Sequence, residues 1–216
     1  LTGKYPISHG FRDNGLFKLD DAQLTLPEIL KSHGYTTAAA VGAYPVMAKF
    51  GFDQGFDFFD DELTGHIEDH RGERVKPKER LFFDERRAGQ VNEAVLPWLN
   101  EHAGKSVPFF LGVHYFDPHQ PFEPPPPFDQ LYADDLYSGE ISYADEALGR
   151  LLRHLDALGE LDNTLVVVTA DHDEGLGEHG EITHAVLAYN STLRGPFIIR
   201  PPKPLQLGSG RLRERV

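Results

Sequence analysis

Carboxylate and imidazole side chains directly follow an apolar run near the end of the chain. Residues 165–169 are apolar and rich in valine, and Asp171 and His172 come almost at once after them. A carboxylate oxygen and an imidazole nitrogen both bind hard or borderline divalent cations. Ligands of open α/β sheets lie outside the carboxyl ends of the strands. The pattern therefore predicts a buried parallel strand that carries two metal ligands. The alternative is that Asp171 caps a turn and His172 is an ordinary surface residue.

A second apolar run, residues 107–115, also leads into polar side chains. His119 follows this run and lies between Pro118 and Pro121, two residues that stiffen a loop. A histidine held in this way suits a donor that must stay directed at a substrate oxygen. The alternative is a hydrogen-bonded histidine that only braces the proline-rich segment.

Two further polar positions could contact an anionic substrate. His184 lies beyond a glycine-rich turn, close to a predicted helix over residues 185–193. A cation there could neutralise an anion or protonate a leaving group, but a solvated histidine near a helix end is an equal alternative. Asn14 forms a polar group with His9 and Arg12, which could also be a simple turn because Asn-Gly is a strong turn signal.

Apolar strands and helices alternate along the chain, which predicts a largely parallel α/β sheet covered on both faces. Residues 43–83 have no clean period and are predicted to be irregular, and Pro97 is expected to bend or shorten its helix. The long helix has an apolar stripe formed by Ile141, Ala144, Leu148, Leu151, Leu152 and Leu155. The predicted helices are 25–34, 86–102 and 138–158, and the predicted strands are 35–41, 107–115, 164–169 and 196–200.

Composition narrows the class of protein. The 216 residues carry 21 basic and 34 acidic side chains, a net charge of −13, which argues against a nucleic-acid partner. There is no apolar run long enough to span a bilayer and no cysteine for a disulfide or a thiolate metal site. The length of the chain suits one catalytic domain rather than two. Because the chain starts without an initiator methionine and stops in a charged segment, we expect this domain to be truncated at both ends, with any targeting segment upstream.

Several motifs, in this order, resemble the sulfatase branch of the alkaline phosphatase superfamily. Residues 114–125 resemble the motif H-x-x-D-P-H-x-P-[FY]-x-P-P, and residues 169–180 resemble T-x-D-H-x-E-x-L-G-E-H-G. Residues 1–15 are similar to the segment that follows the nucleophile signature of these enzymes. The resemblance covers nearly the whole chain and implies a three-layer α/β/α sandwich with a largely parallel, mixed sheet.

The resemblance also implies roles for individual residues. Asp171 and His172 would bind a divalent cation, most often Ca²⁺ in this family, with Mg²⁺ or Mn²⁺ possible. His119 and His184 would be catalytic and would bind the sulfate ester, and Asn14 would be a further substrate contact. The nucleophile, a formylglycine, would come from a residue outside this chain. The implied activity is hydrolysis of sulfate monoesters of small molecules or carbohydrates, and the chain alone is expected to be inactive.

Departures from the family pattern leave alternatives open. Gly42, Ala43 and Tyr44 stand where many relatives carry Gly-Lys-Trp, and Asp173 replaces a glycine, a strained choice if its φ is positive. The same frame serves phosphodiesterases, phosphonate hydrolases and phosphoglycerol transferases, and a catalytically inactive module is a further alternative. The residue upstream of Leu1 and a metal titration would distinguish them. A periplasmic, secreted or membrane-anchored location is compatible with the resemblance.

Overall fold

The computed structural model describes residues 1–13, 16–63, 85–180 and 188–205. The chain divides into two compact units, Leu1–Arg153 and His154–Val216, and each is described by itself. Within the described ranges, none of the helices combines the length and the apolar character that a membrane span requires.

A three-stranded parallel sheet forms the centre of the first unit. Its strands are β1 (Thr36–Val41), β2 (Phe58–Asp60) and β3 (Phe109–His114), in the order β2-β1-β3. Val41 is paired with His114, and Ala40 with Asp60. Because the strands are parallel, their carboxyl ends lie at one edge of the sheet. This confirms the two predicted strands in this part of the chain, while β2 lies inside a segment predicted to be irregular.

The helices account for much of the remaining chain. Short 3₁₀ turns cover Tyr44–Val46, Ala48–Phe50, Leu161–Asn163, Glu178–Gly180 and Lys203–Leu205. The α-helices are α1 (Pro6–His9), α2 (Leu26–Ser32), α3 (Ala88–His102), α4 (Phe128–Leu131), α5 (Leu136–Ala157) and α6 (Asn190–Leu193).

A capping box is present at the start of α2, as the spacing of Thr25 and Glu28 in the sequence indicates. The Glu28 amide donates to the Thr25 hydroxyl at 3.4 Å, and the Thr25 amide donates to Glu28 Oε2 at 2.8 Å. These reciprocal bonds satisfy amides that a helix start otherwise leaves without partners. The chain then leaves the helix through Gly34, whose φ of 85° is in the left-handed region.

Helix α3 packs against β1 and β3 through a fully buried apolar face. Val91, Val95 and Leu99 on this face have no exposed surface. The helix ends at His102, which confirms the predicted end, so the alternative of an early end at Pro97 is wrong. Pro97 and Glu93, whose carbonyl loses its helical donor, are both exposed, so water can satisfy that carbonyl.

The buried face of α5 differs from the predicted apolar stripe. Ile141 is 43% exposed, whereas Glu140 is only 5% exposed. Ala147 and Leu151 are buried on the same face as Glu140. Counting hydrophobic residues alone places Glu140 on the solvent side, and the structure places it inside because its carboxylate accepts backbone hydrogen bonds.

The second unit contains a two-stranded antiparallel sheet. Its strands are β4 (Val166–Thr169) and β5 (Phe197–Arg200), with Thr169 paired with Phe197. The prediction of a buried parallel strand over 164–169 is therefore wrong in direction. It is also wrong in burial, since Val167 is 49% exposed. An apolar run indicates a strand, but the direction of pairing depends on where the chain returns.

The predicted helix over 185–193 is shorter where the structure describes it. Residues 188 and 189 are not helical, and α6 begins at Asn190. The first three residues of the prediction lie outside the described residues. The mixed strand directions of the two units agree with the predicted α/β class.

Candidate active site

The carboxyl ends of β1 and β3 meet closely. The Gly42 amide, which follows β1, donates to His114 Nδ1 at 3.4 Å. A Cβ at Gly42 would lie 3.0 Å from the His114 carbonyl oxygen and 3.1 Å from the Arg86 carbonyl oxygen. A larger residue at position 42 would therefore push the two strand ends apart. The polar residues of the candidate site follow directly after this contact in the chain.

The buried side chain of Arg86 binds backbone carbonyls at the same edge of the sheet. Its Nε donates to the Val41 carbonyl at 2.9 Å, and its Nη2 donates to the Asp60 carbonyl at 3.0 Å. The guanidinium also forms an ion pair with the Asp60 side chain. These bonds satisfy carbonyls at the ends of both β1 and β2. Sequence reasoning did not identify Arg86, because an arginine at the start of a helical pattern resembles a solvent-facing residue.

His119 lies on the loop after β3 with a defined ring orientation. Its ring stacks on Phe116, with 4.0 Å between the ring centroids and 23° between the planes. His119 Nδ1 lies 2.7 Å from the Gln120 carbonyl oxygen, an acceptor only, so Nδ1 carries the hydrogen and donates. In the neutral ring Nε2 is then the acceptor and can receive a proton, and it becomes a donor only when the ring is protonated.

Two carboxylates hold the backbone of this loop. Asp117 Oδ2 accepts from the amide of Ala88, the first residue of α3, at 2.8 Å. Glu140 Oε2 accepts from the His119 amide at 2.9 Å, and Glu140 Oε1 accepts from the Glu123 amide at 2.7 Å. The loop is therefore tied to both α3 and α5.

Burial and mutual repulsion make these carboxyls weak acids. Burial, together with the nearby charges of Asp117 and Glu140, raises the pKa of Glu85 to about 8. Burial raises the pKa of Glu140 to about 7 despite its two backbone hydrogen bonds. Burial also raises the pKa of Asp117. The group can therefore hold protons near neutral pH.

A very small, partly open pocket lies among these side chains. Its volume is about 10 Å³, which is room for one water molecule and too little for a sulfate ester. A substrate would therefore have to approach His119 from outside this pocket. The lining residues are Glu85, Arg86, Phe116, Asp117, His119 and Glu140.

Asp171 and His172 lie next to each other in the second unit, just after β4. Asp171 Oδ2 and His172 Nε2 are 3.7 Å apart. His172 Nδ1 lies 3.0 Å from the Asp173 carbonyl, so Nδ1 donates and Nε2 keeps a lone pair. Ligand bonds of about 2.0–2.6 Å allow two atoms at this separation to reach one ion. The donor atoms therefore fit a divalent cation.

A divalent cation needs more ligands than these two residues offer. In the part of the chain that the structure describes, no group of three or more histidine, cysteine, aspartate or glutamate residues could hold a metal. Asp173, which replaces a family glycine, is not strained. The non-glycine residue with positive φ among the described positions is His179, at 59°.

The predicted site residues thus fall in different parts of the structure. Asp171 and His172 are together in the second unit, and His119 is in the first. His184 and Asn14 lie outside the described residues. A further prediction from the sequence is that Asp171, His172, His119 and His184 surround a single anionic pocket.

Comparisons with known proteins identify the family and the fold. The chain is 28% identical to the ulvan-active sulfatase of Formosa agariphila, over 94% of this chain and 45% of that protein. It is similar to the structure of BT4656 in complex with its substrate D-glucosamine-2-N,6-O-disulfate, with a TM-score of 0.71 and 21% identity over 94% of this chain and 60% of the other. The phosphonate monoester hydrolase of Agrobacterium radiobacter gives a TM-score of 0.69 and 19% identity, over 93% of this chain and 57% of the other.

The chain thus spans about half the length of the proteins that it matches. The structural likenesses show an alkaline phosphatase-like α/β fold, as predicted. Residues 1–207 match the Sulfatase family, whose members in general use a divalent metal and a formylglycine. A match over this share of the sequence includes both residues 117–123, which carry His119, and the Asp171–His172 pair. The chain belongs to the sulfatase family.

Proposed function

We propose that the complete protein that contains this chain hydrolyses sulfate monoesters. The observation that carries the proposal is the family match, which extends without interruption across both motif segments, residues 114–125 and 169–180. We place all 216 residues in one catalytic domain for the same reason. The formylglycine nucleophile would be supplied by a residue outside this chain.

His119 has the central role among the described residues. Its Nδ1 donates to the Gln120 carbonyl, so the ester oxygen, which is an acceptor, can be hydrogen-bonded by Nε2–H of the doubly protonated ring. As the ester bond breaks, the departing oxygen becomes basic, and a proton on Nε2 can neutralise it. The stacked Phe116 ring keeps the imidazole plane fixed during this transfer. His184 and Asn14 are proposed contacts to the sulfate group.

Asp171 and His172 would hold the divalent cation. We propose Ca²⁺, with Mg²⁺ or Mn²⁺ as alternatives, because the carboxylate of Asp171 suits all three of these hard cations. Bound there, the cation would neutralise negative charge on the sulfate oxygens. The high exposure of the Asp171 side chain, 87%, supports a role in binding rather than in packing.

A sulfated carbohydrate is the substrate class that we propose. The support is the likeness to a protein solved with D-glucosamine-2-N,6-O-disulfate. A phosphonate monoester is the second candidate, because the phosphonate monoester hydrolase has nearly the same TM-score. Residues 43–83 and 120–130 are proposed to line the pocket that selects among such esters.

The direct test measures ester hydrolysis by the complete protein with Ca²⁺ present. We expect release of sulfate from 4-nitrophenyl sulfate and from glucosamine 6-sulfate, with kcat/KM well above that for a phenyl phosphonate. His119→Ala should lower kcat by about 10²–10⁴-fold. His33→Ala, an exposed histidine at the end of α2, is the matched control and should keep full activity.

Two results would contradict the proposal. Phosphonate turnover without sulfate release would favour the second candidate. Calcium binding without turnover of any ester would favour a catalytically inactive module.

A further inference from the structure

Three hydrogen bonds between carboxylates and backbone amides fix the position of residues 117–123, which we call the His119 loop. The Asp117 carboxylate accepts a hydrogen bond from the Ala88 amide, and the Glu140 carboxylate accepts hydrogen bonds from the His119 and Glu123 amides. The loop includes two prolines, which have no amide hydrogen to donate. Its remaining amides therefore have more influence on where the backbone lies. Glu140 holds one at the centre of the loop and one at its end.

Glu140 is an unusual residue for the inside of a protein. It is 5% exposed, and a glutamate is seldom buried to this extent unless its oxygens have strong partners. Each of its two oxygens accepts one amide hydrogen, at 2.9 and 2.7 Å. A glutamine of the same shape offers only one acceptor oxygen. The side chain at position 140 must therefore be a carboxyl group to accept both amide hydrogen bonds.

Two hydrogen bonds hold the helix that carries Glu140 against α3. Helix α5, which carries Glu140, is joined to α3 by the Asn92 side-chain amide, which donates to the Ala147 carbonyl at 2.8 Å. It is joined again by the Gly89 amide, which donates to the Tyr143 hydroxyl at 2.9 Å. Because Asp117 holds the first amide of α3, both anchors of the loop rest on the same pair of helices.

We propose that Glu140 is the positioning residue of His119: it fixes the backbone from which the imidazole projects, and so directs Nε2 toward the ester oxygen. This inference rests on the proposed function for its kinetic consequence. The stacking on Phe116 and the bond from Nδ1 to the Gln120 carbonyl set the ring only if the loop backbone is already in place. A displacement of about 1 Å at a catalytic group can reduce a rate about 100-fold.

The kinetic test compares Glu140→Gln with Glu146→Gln in the complete protein. Glu146 lies on the same helix but is exposed, so its variant is the matched control. We expect Glu140→Gln to lower kcat by about 10–100-fold with KM changed less than about threefold, because His119 acts mainly as the bond breaks. The control should retain wild-type kcat and KM.

A double variant separates positioning from general support of the fold. If Glu140 acts through His119, Glu140→Gln should cause little further loss in a protein that already carries His119→Ala. An equal fold-loss of kcat in both backgrounds would overturn the inference. Unchanged kcat in Glu140→Gln alone would also overturn it.

Nuclear magnetic resonance of the His119 ring gives a readout that does not depend on activity. With ¹⁵N-labelled histidine, the His119 signals are those that vanish in His119→Ala. We expect the Nδ1–H tautomer to predominate in the wild type and in Glu146→Gln, and a clear rise of the Nε2–H tautomer in Glu140→Gln. Unchanged tautomer populations in Glu140→Gln would reject the inference. If the wild type hydrolyses no sulfate ester, the proposed function fails, and this measurement still decides the role of Glu140.

Discussion

Asp171 and His172 offer two donor atoms from neighbouring positions, and both side chains remain accessible to solvent. Neither contributes much to packing, so their replacement should affect ligand binding far more than folding. The orientation of His172 is set by its bond to the Asp173 carbonyl. An oriented imidazole beside an exposed carboxylate is a favourable start for a cation site.

We predict that Asp171→Ala weakens Ca²⁺ binding to the complete protein by at least about 10-fold. Removal of the carboxylate takes away both a ligand and a negative charge. Isothermal titration calorimetry measures the affinity, and Asp156→Ala, an exposed aspartate in the same unit, is the control. The metal-free Tm of both variants should match the wild type. Equal Ca²⁺ affinity in Asp171→Ala and wild type would remove Asp171 from the ligand set.

The sequence predicts the structural position of some of these residues and not of others. The position of His119 on a loop after a strand could be predicted, because the neighbouring prolines and the preceding apolar run are local features. That of Glu140 could not, since the amide that it holds is 21 residues away. Arg86 was missed for the same reason, with an acceptor 45 residues away at Val41. Charged residues are assigned to the surface by default, and only the folded chain shows which of them bind buried backbone groups.

The stability of α2, a helix of seven residues, depends strongly on the contacts of its first turn. Short helices are marginal on their own, and tertiary contacts provide most of their stability. Thr25 is fully buried, and its hydroxyl donates to the Gln54 carbonyl at 3.1 Å as well as accepting from Glu28. One side chain therefore joins the start of the helix to the segment that leads into β2.

We predict that Thr25→Ala lowers the free energy of unfolding by about 1–2 kcal/mol. The substitution removes the helix cap and leaves the Gln54 carbonyl without this donor. Urea unfolding monitored by circular dichroism measures the change. Ser32→Ala, at the exposed last turn of the same helix, should change stability by less than about 0.5 kcal/mol. Equal losses in the two variants would show that the cap has no special importance.

Elements with local markers were predicted well, and elements defined by distant partners were not. The capping box and Gly34 mark both ends of α2, so its bounds could be predicted from the sequence. The direction of β4 has no local marker, because the same valines suit a parallel or an antiparallel neighbour. The continuation of α3 beyond Pro97 likewise depends on which side of the helix faces solvent.

The charge of the whole chain opposes the binding that we propose. A net charge of −13 repels a sulfate ester at long range. Binding therefore requires local positive charge, which a divalent cation at Asp171 and His172 and a protonated histidine would supply. The acidic surface and the anionic substrate are compatible only because screening limits the repulsion to about 10 Å at ordinary salt.

The buried acids also determine how stability varies with pH. The pKa of Glu85 is raised to about 8 and that of Glu140 to about 7, against an ordinary value of 4.5. The folded protein therefore binds more protons than the unfolded chain between about pH 4.5 and 8. It follows that the free energy of unfolding contributed by these groups is fully present below pH 4.5 and is lost as pH rises through about 7 to 8. Asp57, whose pKa is lowered mainly by its hydrogen bond with Lys31, works in the opposite direction at acid pH.

We predict that stability is greatest near pH 5 and falls by roughly 1–3 kcal/mol by pH 9. Glu85→Gln should reduce that decline, because a neutral amide cannot ionise in the buried cluster with Asp117 and Glu140. Urea midpoints at pH 5, 7 and 9 measure the slope, and Glu146→Gln controls for the loss of one negative charge. A Glu85→Gln slope as steep as that of the control would mean that Glu85 does not carry the effect. A wild type equally stable at pH 5 and 9 would mean that the buried carboxyls ionise without cost, contrary to their burial.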